Sequence, residues 1–277
     1  MNMFMRFKNG KAKAITLSYD DGNIQDKRLI SILDQQGIKA TFNINSGLFA
    51  KEDAADWGRM SKEQAIALYV DSGHEVAVHT VTHPFLEKLP LTIAVDEVLS
   101  DRKSLEKDFG GVIRGMAYPY GTYSNALIDA LQSIGIAYAR TVIATHDFRI
   151  PTDWLRLTAT CHHTDPAFLE LTDKFLASDP NKEQYNRTPL LFYLWGHSYE
   201  FDNDKNWNVI EEFAEKVGNR EDIWYATNIE IYDYIKAYNA LQFSIDAKCV
   251  YNPSAQTVWF ETNGILHSVE ANETKML

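Results

Sequence analysis

The sequence predicts an α/β fold, a mainly parallel (β/α)7-8 barrel followed by a small C-terminal antiparallel β appendage. Three observations predict it. Short apolar runs alternate with longer amphipathic stretches, glycines and capping residues punctuate the joints, and reactive side chains recur just after the apolar runs. Residues 14–19 read as a strand, 25–35 as a helix ended by Gly37, and 40–44 as the next strand. Ser61 caps a helix running through Val70, with Glu63 and Gln64 in its first turn. A third strand spans 75–79, and a long helix spans 92–109, closed by Gly110-Gly111. Strands over 115–118, 136–139, 155–160, 190–195 and 223–226 follow, most of them separated by helices over 125–133, 208–217 and 229–241. Repeated strand–helix units argue for a parallel sheet, and roughly seven or eight of them suffice to close a barrel. This organisation assigns residues 1–241 to the barrel. In the remainder, 242–277, two short strands at 243–245 and 257–260 flank Asn252-Pro253-Ser254 and predict the appendage.

Composition bounds the function. The 277 residues are 45% hydrophobic and 23% charged, enough to build a core without disulfides. With 27 basic and 38 acidic residues the net charge is −11, which repels a phosphate backbone and argues against nucleic acid as a partner. The same surface does not oppose a neutral sugar or a small amide. Two cysteines, Cys161 and Cys249, are expected as free thiols in a reducing compartment. The first residues hold no apolar run of signal-peptide length and no stretch has the apolar length of a membrane helix, so a cytoplasmic location and no membrane partner are expected.

The residues just after the strands are Asp20, Asp21, Asn45, His79, His83, Tyr120, Arg140, His162, His163 and His197. In a parallel barrel the C-terminal strand ends share one face, which carries the active site. Asp20-Asp21-Gly22 alone is ordinary turn chemistry; with two histidines at a neighbouring strand end it becomes a candidate ligand set. His79 and His83 are four residues apart and can meet one metal if their segment is a helical turn, with Pro84 stopping it. Two imidazoles and a carboxylate leave coordination positions open, as a catalytic site requires. One divalent ion is expected, zinc by default, although nitrogen and oxygen donors also suit cobalt, nickel, iron or manganese.

The segment Thr16-Leu17-Ser18-Tyr19-Asp20-Asp21-Gly22 resembles the first motif of the polysaccharide deacetylase family (NodB homology, carbohydrate esterase family 4). His79-Thr80-Val81-Thr82-His83-Pro84 resembles its second motif, Tyr118-Pro119-Tyr120-Gly121 its third, and Leu194-Trp195-Gly196-His197, more loosely, its fifth. The resemblance implies a distorted barrel of strand–helix units, with Asp20 as general base and Asp21, His79 and His83 as the metal ligands. It also implies that Tyr120 gives its backbone N–H to the oxyanion and that His197 is the general acid. The chemistry agrees, because a carboxylate beside the ion but not bound to it can take the proton of the attacking water, and an imidazole can protonate the departing amine.

The departures from the family pattern carry their own expectations. An arginine usually stands two residues before the motif-three proline and partners the base, whereas this chain has Ala117. Arg114 lies upstream, and Arg140, after the next strand, is the expected replacement, donating to Asp20. Asp153-Trp154 fits the pair that ends the fourth motif. Cys161-His162-His163 has no counterpart; His162 is expected as an extra substrate contact and a second metal site is not expected. Trp57, Trp154, Trp195 and Trp207 could offer faces to a sugar ring, Tyr118 joins the expected substrate contacts, and Leu194 or Trp195 would meet an acetyl methyl.

The expected function is metal-dependent hydrolysis of an N-acetyl group on a small or oligomeric N-acetylated sugar. A rival keeps the machinery and hydrolyses cyclic imides or ureides, a reading the missing arginine invites. A second rival is a carbohydrate-binding protein without catalysis, against which the intact set Asp20, Asp21, His79 and His83 speaks.

Overall fold

The structure, a computed structural model, describes residues 2–51 and 58–277. Its strands are β1 (Met3–Arg6), β2 (Lys13–Asp20), β3 (Thr41–Ile44), β4 (Glu75–Val78), β5 (Gly115–Ala117), β6 (Tyr138–Ala144), β7 (Leu157–Ala159), β8 (Cys161–His162), β9 (Leu190–Gly196), β10 (Ile223–Tyr225), β11 (Gln242–Phe243), β12 (Cys249–Tyr251), β13 (Val258–Thr262), β14 (Ile265–Val269) and β15 (Thr274–Met276). The helices are α1 (Asp26–Gln35), α2 (Lys62–Tyr69), α3 (Leu91–Phe109), α4 (Asn125–Ser133), α5 (Phe168–Ala177), α6 (Glu200–Asn203), α7 (Trp207–Val217) and α8 (Asn228–Asn239).

β2 is the axis of the barrel. It pairs in parallel with β9 on one side and, through its last residues, with β3 on the other, while its first residues take up β10. From β3 the ladder runs through β4, β5 and β6 to β7, all parallel. β7 and β8 are one bent segment: Leu157–Ala159 pairs with β6 and Cys161–His162 pairs with β9, and this closes the ring. The result is a distorted (β/α) barrel of seven staves with β10 as a short extra strand.

Strand alternation sorts the side chains into two layers. Ile15, Leu17 and Tyr19 of β2 join Phe42, Ile44, Phe192 and Leu194 in the main apolar cluster, under Leu29 and Leu33 of α1 and Phe213 of α7. Thr16, Ser18 and Asp20 point into the barrel, where Asn43, Asn228 and Arg140 meet them. Such a polar interior is affordable only because its members hydrogen-bond one another. It also delivers charged groups directly to the mouth.

The C-terminal region is richer than the two expected strands. β11, β12 and β15 form one antiparallel sheet, and β13 and β14 form another that takes in β1 from the opposite end of the chain. The buried Arg6–Glu261 pair, 2.6 Å apart, ties β1 to β13. The helix α5 was also unforeseen, although its buried Phe168, Leu171, Thr172 and Phe175 have the 3.6-residue period. Both cysteines are free thiols.

Candidate active site

β2 ends at Asp20, and the chain then turns through two left-handed residues, Asp21 (φ 85°) and Gly22 (φ 65°). Aspartate tolerates that conformation better than most residues, which accounts for the Asp-Asp-Gly pattern. Asp20 is 3% exposed. Its Oδ1 accepts a 2.8 Å bond from Asn43 Nδ2, and its Oδ2 accepts from Arg140 Nη2. Burial alone would raise its pKa; the Arg140 guanidinium, with His79 and His197, instead holds it down at about 2. Asp20 is therefore a carboxylate at every working pH.

The His79–His83 segment is a loop, not the helical turn expected from the spacing. Thr80 (φ 68°) and His83 (φ 57°) are left-handed, and Thr80 Oγ1 accepts from the His83 N–H at 3.1 Å. The loop is anchored by Asp101, whose carboxylate accepts from the N–H groups of His79 (3.0 Å) and Ser46 (2.7 Å). Asn45 Nδ2 adds a bond to the Thr80 carbonyl at 3.0 Å. The turn thus folds both imidazoles back toward the end of β2.

His79 Nδ1 lies 2.9 Å from the Ala117 carbonyl. A carbonyl only accepts, so Nδ1 carries the proton and Nε2 a lone pair. That Nε2 is buried without a hydrogen-bond partner among the described residues and stands 3.9 Å from Asp21 Oδ1. His83 Nε2 is also 3.9 Å from Asp21 Oδ1. The donor atoms of Asp21, His79 and His83 lie within 4.8 Å of one another. Burial lowers the pKa of both imidazoles, that of His83 to about 4, so both are neutral donors. The trio fits a divalent metal ion: an orphaned buried acceptor, a second imidazole and one carboxylate oxygen converge.

Arg59, which the sequence did not single out, donates through Nη2 to Asp21 Oδ1 at 2.9 Å and through Nη1 to Asn45 Oδ1 at 2.9 Å. Asn43 and Glu200 were also overlooked. Neither lies in a recognisable motif, and only the folded strand order brings them to the mouth.

The opposite wall is built from β6, β8 and β9. Arg140 is fully buried; besides Asp20 it donates to the Thr141 carbonyl at 3.1 Å and lies 4.4 Å over the Trp195 ring. His197 Nε2 is 4.0 Å from Asp20 Oδ2, and its Nδ1 is 3.3 Å from Glu200 Oε2. Burial lowers the His197 pKa, but Glu200 and the charge of Asp20 outweigh it and the net shift is upward. Tyr120 sits in a left-handed turn (φ 58°), its half-exposed ring 4.6 Å from that of His83 and stacked 3.8 Å from Phe85.

Several expected contacts lie elsewhere. The Tyr118 side chain is buried and donates to the Leu155 carbonyl at 2.9 Å. Leu194 faces the helices, because strand alternation puts only its neighbours Tyr193 and Trp195 inside. Trp154 precedes β7 and so lies at the end of the barrel away from the mouth, edge-on to Tyr232 of α8. Trp207 packs on Phe201, and Arg114 pairs with Asp233 at 2.6 Å. His162 stays at the mouth, its ring 4.3 Å from that of Trp195 and its Nε2 3.3 Å from Glu200. Trp57 lies outside the described residues.

The chain is similar to several known proteins. The polysaccharide deacetylase family model matches residues 7–139. A chitooligosaccharide deacetylase of Sinorhizobium fredii is 28% identical over 148 residues, covering 52% of this chain and 61% of that protein. The chain thus spans about three fifths of the length of the curated relatives it matches. Among solved structures, one of a candidate polysaccharide deacetylase from Mycobacterium smegmatis superposes with a TM-score of 0.61 at 16% identity, over 84% of this chain and 93% of that one. A carbohydrate esterase family 4 pseudoenzyme from Bacillus anthracis superposes with a TM-score of 0.50 at 17% identity, over 83% of this chain and 68% of that one. Over residues 7–139 the chain is thus similar to the polysaccharide deacetylase family, and the solved structures share its fold.

Proposed function

We propose that this protein is a metal-dependent deacetylase of a small or oligomeric N-acetylated sugar. The observation that carries the reading is the convergence of Asp21, His79 and His83 beside an Asp20 held ionised by Arg140. The chitooligosaccharide deacetylase of Sinorhizobium supports the substrate class. The pseudoenzyme among the structural neighbours means that the fold alone does not decide activity, which depends on the side chains at the mouth.

Asp21, His79 and His83 would hold one divalent cation, Zn²⁺ by the chemistry of the donors. Such a cation, when bound, polarises an amide carbonyl and lowers the pKa of water from 15.7 to about 7. The chain's own groups do the rest. Asp20, with one oxygen held by Asn43 and the other by Arg140, accepts the proton of the attacking water. The backbone N–H of Tyr120 donates to the carbonyl oxygen as negative charge develops there. His197, favoured in its cationic form, delivers a proton to the departing amine. Trp195, fixed beneath the Arg140 guanidinium, supplies the apolar surface for the acetyl methyl.

The test is product analysis. Protein stripped with a chelator and reloaded with Zn²⁺ is incubated with N-acetylated chitooligosaccharides and, separately, with cyclic imides and ureides. Acetate and free amine are expected from the sugars alone, and are lost on chelation and in the His79→Ala/His83→Ala double variant. Ring opening of imides without acetate release moves the chemistry to the rival substrate class. Full metal loading without any turnover makes the chain a binding protein.

A further inference from the structure

Away from the Asp21 trio the mouth holds a second cluster that the deacetylase chemistry does not use. His162 and His163 follow β8, and Glu200 opens α6. Glu200 Oε2 is 3.3 Å from His162 Nε2, 3.2 Å from His163 Nε2 and 3.3 Å from His197 Nδ1. The same oxygen already accepts the backbone N–H of His197 at 3.1 Å. A carboxylate oxygen has two lone-pair positions, so one atom is ringed by more nitrogens than it can accept from.

The contacts are also misdirected for hydrogen bonds. His163 Nε2, His163 Nδ1 and His197 Nδ1 are all buried without a hydrogen-bond partner among the described residues, despite the closeness of the carboxylate. Leaving such a group unpaired forfeits its solvation with nothing in return. Nor can the His163 ring swing away to find water. It is 3% exposed and packed against both Tyr19 (5.7 Å) and Phe201 (4.1 Å). It also lies so close over Gly196 that a Cβ there would come within 2.0 Å of Nδ1. The chain has fixed an imidazole, at some cost, with its nitrogens facing other donors.

We propose that His162, His163 and Glu200 form a second site for a divalent transition-metal ion. Four donors around a tetrahedral Zn²⁺ with bonds of ~2.0–2.1 Å stand ~3.3 Å from one another, the spacing seen here around Glu200. The donor atoms of His162, His163 and Glu200 lie within 4.8 Å of one another, as do those of the first trio, and the two sets share no residue. His162 Nδ1 has two contacts, Thr164 Oγ1 at 2.7 Å and the Thr164 N–H at 3.1 Å. Donating to Oγ1 leaves Nε2 with its lone pair, so metal binding selects that tautomer. An ion there would clamp the end of β8 to the start of α6 through Glu200. This inference does not depend on the deacetylase reading.

Metal counting tests it. The full chain, stripped with a chelator, is dialysed against buffered Zn²⁺ and metal per chain is measured, with cooperative melting as the check on folding. Two ions per chain are expected in the wild type. One is expected in His79→Ala/His83→Ala, one in Glu200→Gln, and none when the first-site pair is combined with Glu200→Gln. His162→Ala, at a partly exposed position, gives the same count of one should Glu200→Gln not fold. A wild-type count of one overturns the second site, as does an undiminished count of two in folded His162→Ala. Failed acetate release with two ions still bound would sink the deacetylase proposal and leave this one standing.

Discussion

Asp20 and Arg140 form a buried pair whose members depend on each other for different reasons. The carboxylate needs a cation to stay ionised at 3% exposure, and the fully buried guanidinium needs an anion to be tolerated at all. Asp20→Asn keeps the shape and removes the proton acceptor. We expect it to retain first-site metal and lose roughly 10²–10⁴-fold in kcat, the usual contribution of a general base. Unchanged turnover would pass the role to another group. Arg140→Ala is expected to lower kcat as well, but also to cost about 3–5 kcal/mol of stability, because it strands a buried charge. Denaturant melts at neutral pH separate the two effects, and a variant with wild-type stability and turnover would remove Arg140 from the site. The pair was legible only in part. Ala117 showed that the usual partner was missing, and the position of Arg140 after the next strand identified a replacement. Asn43 and Arg59 carried no comparable signal, since nothing in their local sequence says which strands will be neighbours.

At the scale of elements, the mouth is made by turns with left-handed residues. Asp21, Thr80, His83 and Tyr120 all have positive φ, and each is a proposed site residue or lies between two of them. The spacing of His79 and His83 suggested a helical turn because i, i+4 pairs meet on helices. The actual loop achieves the same convergence with two left-handed residues and the Asp101 anchor, a solution that spacing cannot distinguish from the first. Tyr120 is followed by Gly121 (φ +70°), where a Cβ would come within 2.5 Å of the Val142 side chain and 2.8 Å of its backbone nitrogen. Gly121→Ala is therefore expected to cost about 1–3 kcal/mol through backbone strain and to lower kcat by displacing the Tyr120 N–H. Gly73→Ala is the control, with similar φ (+79°) but nothing within 4 Å of the added atom. Equal turnover in the two variants would take the Tyr120 turn out of the mechanism.

Over the whole molecule, the alternation of strands and helices was readable because each unit repeats the same local pattern. Closure was not, because it depends on one bent segment, β7 with β8, changing partners from β6 to β9 at Thr160. The docking of β1 onto β13 was hidden for the same reason: pairing across the length of the chain leaves no periodic trace. The end of the barrel away from the mouth shows how distant parts are joined. Glu75, at the start of β4, accepts from Thr41 of β3 (2.8 Å), Tyr138 of β6 (2.8 Å) and the Ile229 N–H of α8 (3.0 Å). Burial outweighs these bonds and pushes its carboxyl up from 4.5 to about 7. The folded state thus holds the proton more tightly than the unfolded chain, so this contribution to stability is full below pH 4.5 and is lost as pH rises through about 7. A shift of that size corresponds to ~3 kcal/mol. Asp26 and Asp101, also raised to about 7, act in the same direction. Glu75→Gln keeps the side-chain shape without the titration, so the fall in unfolding free energy between pH 5 and pH 8 should shrink by ~3 kcal/mol. Urea melts across that range, far from the metal ligands and independent of activity, provide the measurement. An unchanged slope in Glu75→Gln would show that the carboxylate linking β3, β4, β6 and α8 is already ionised in the fold.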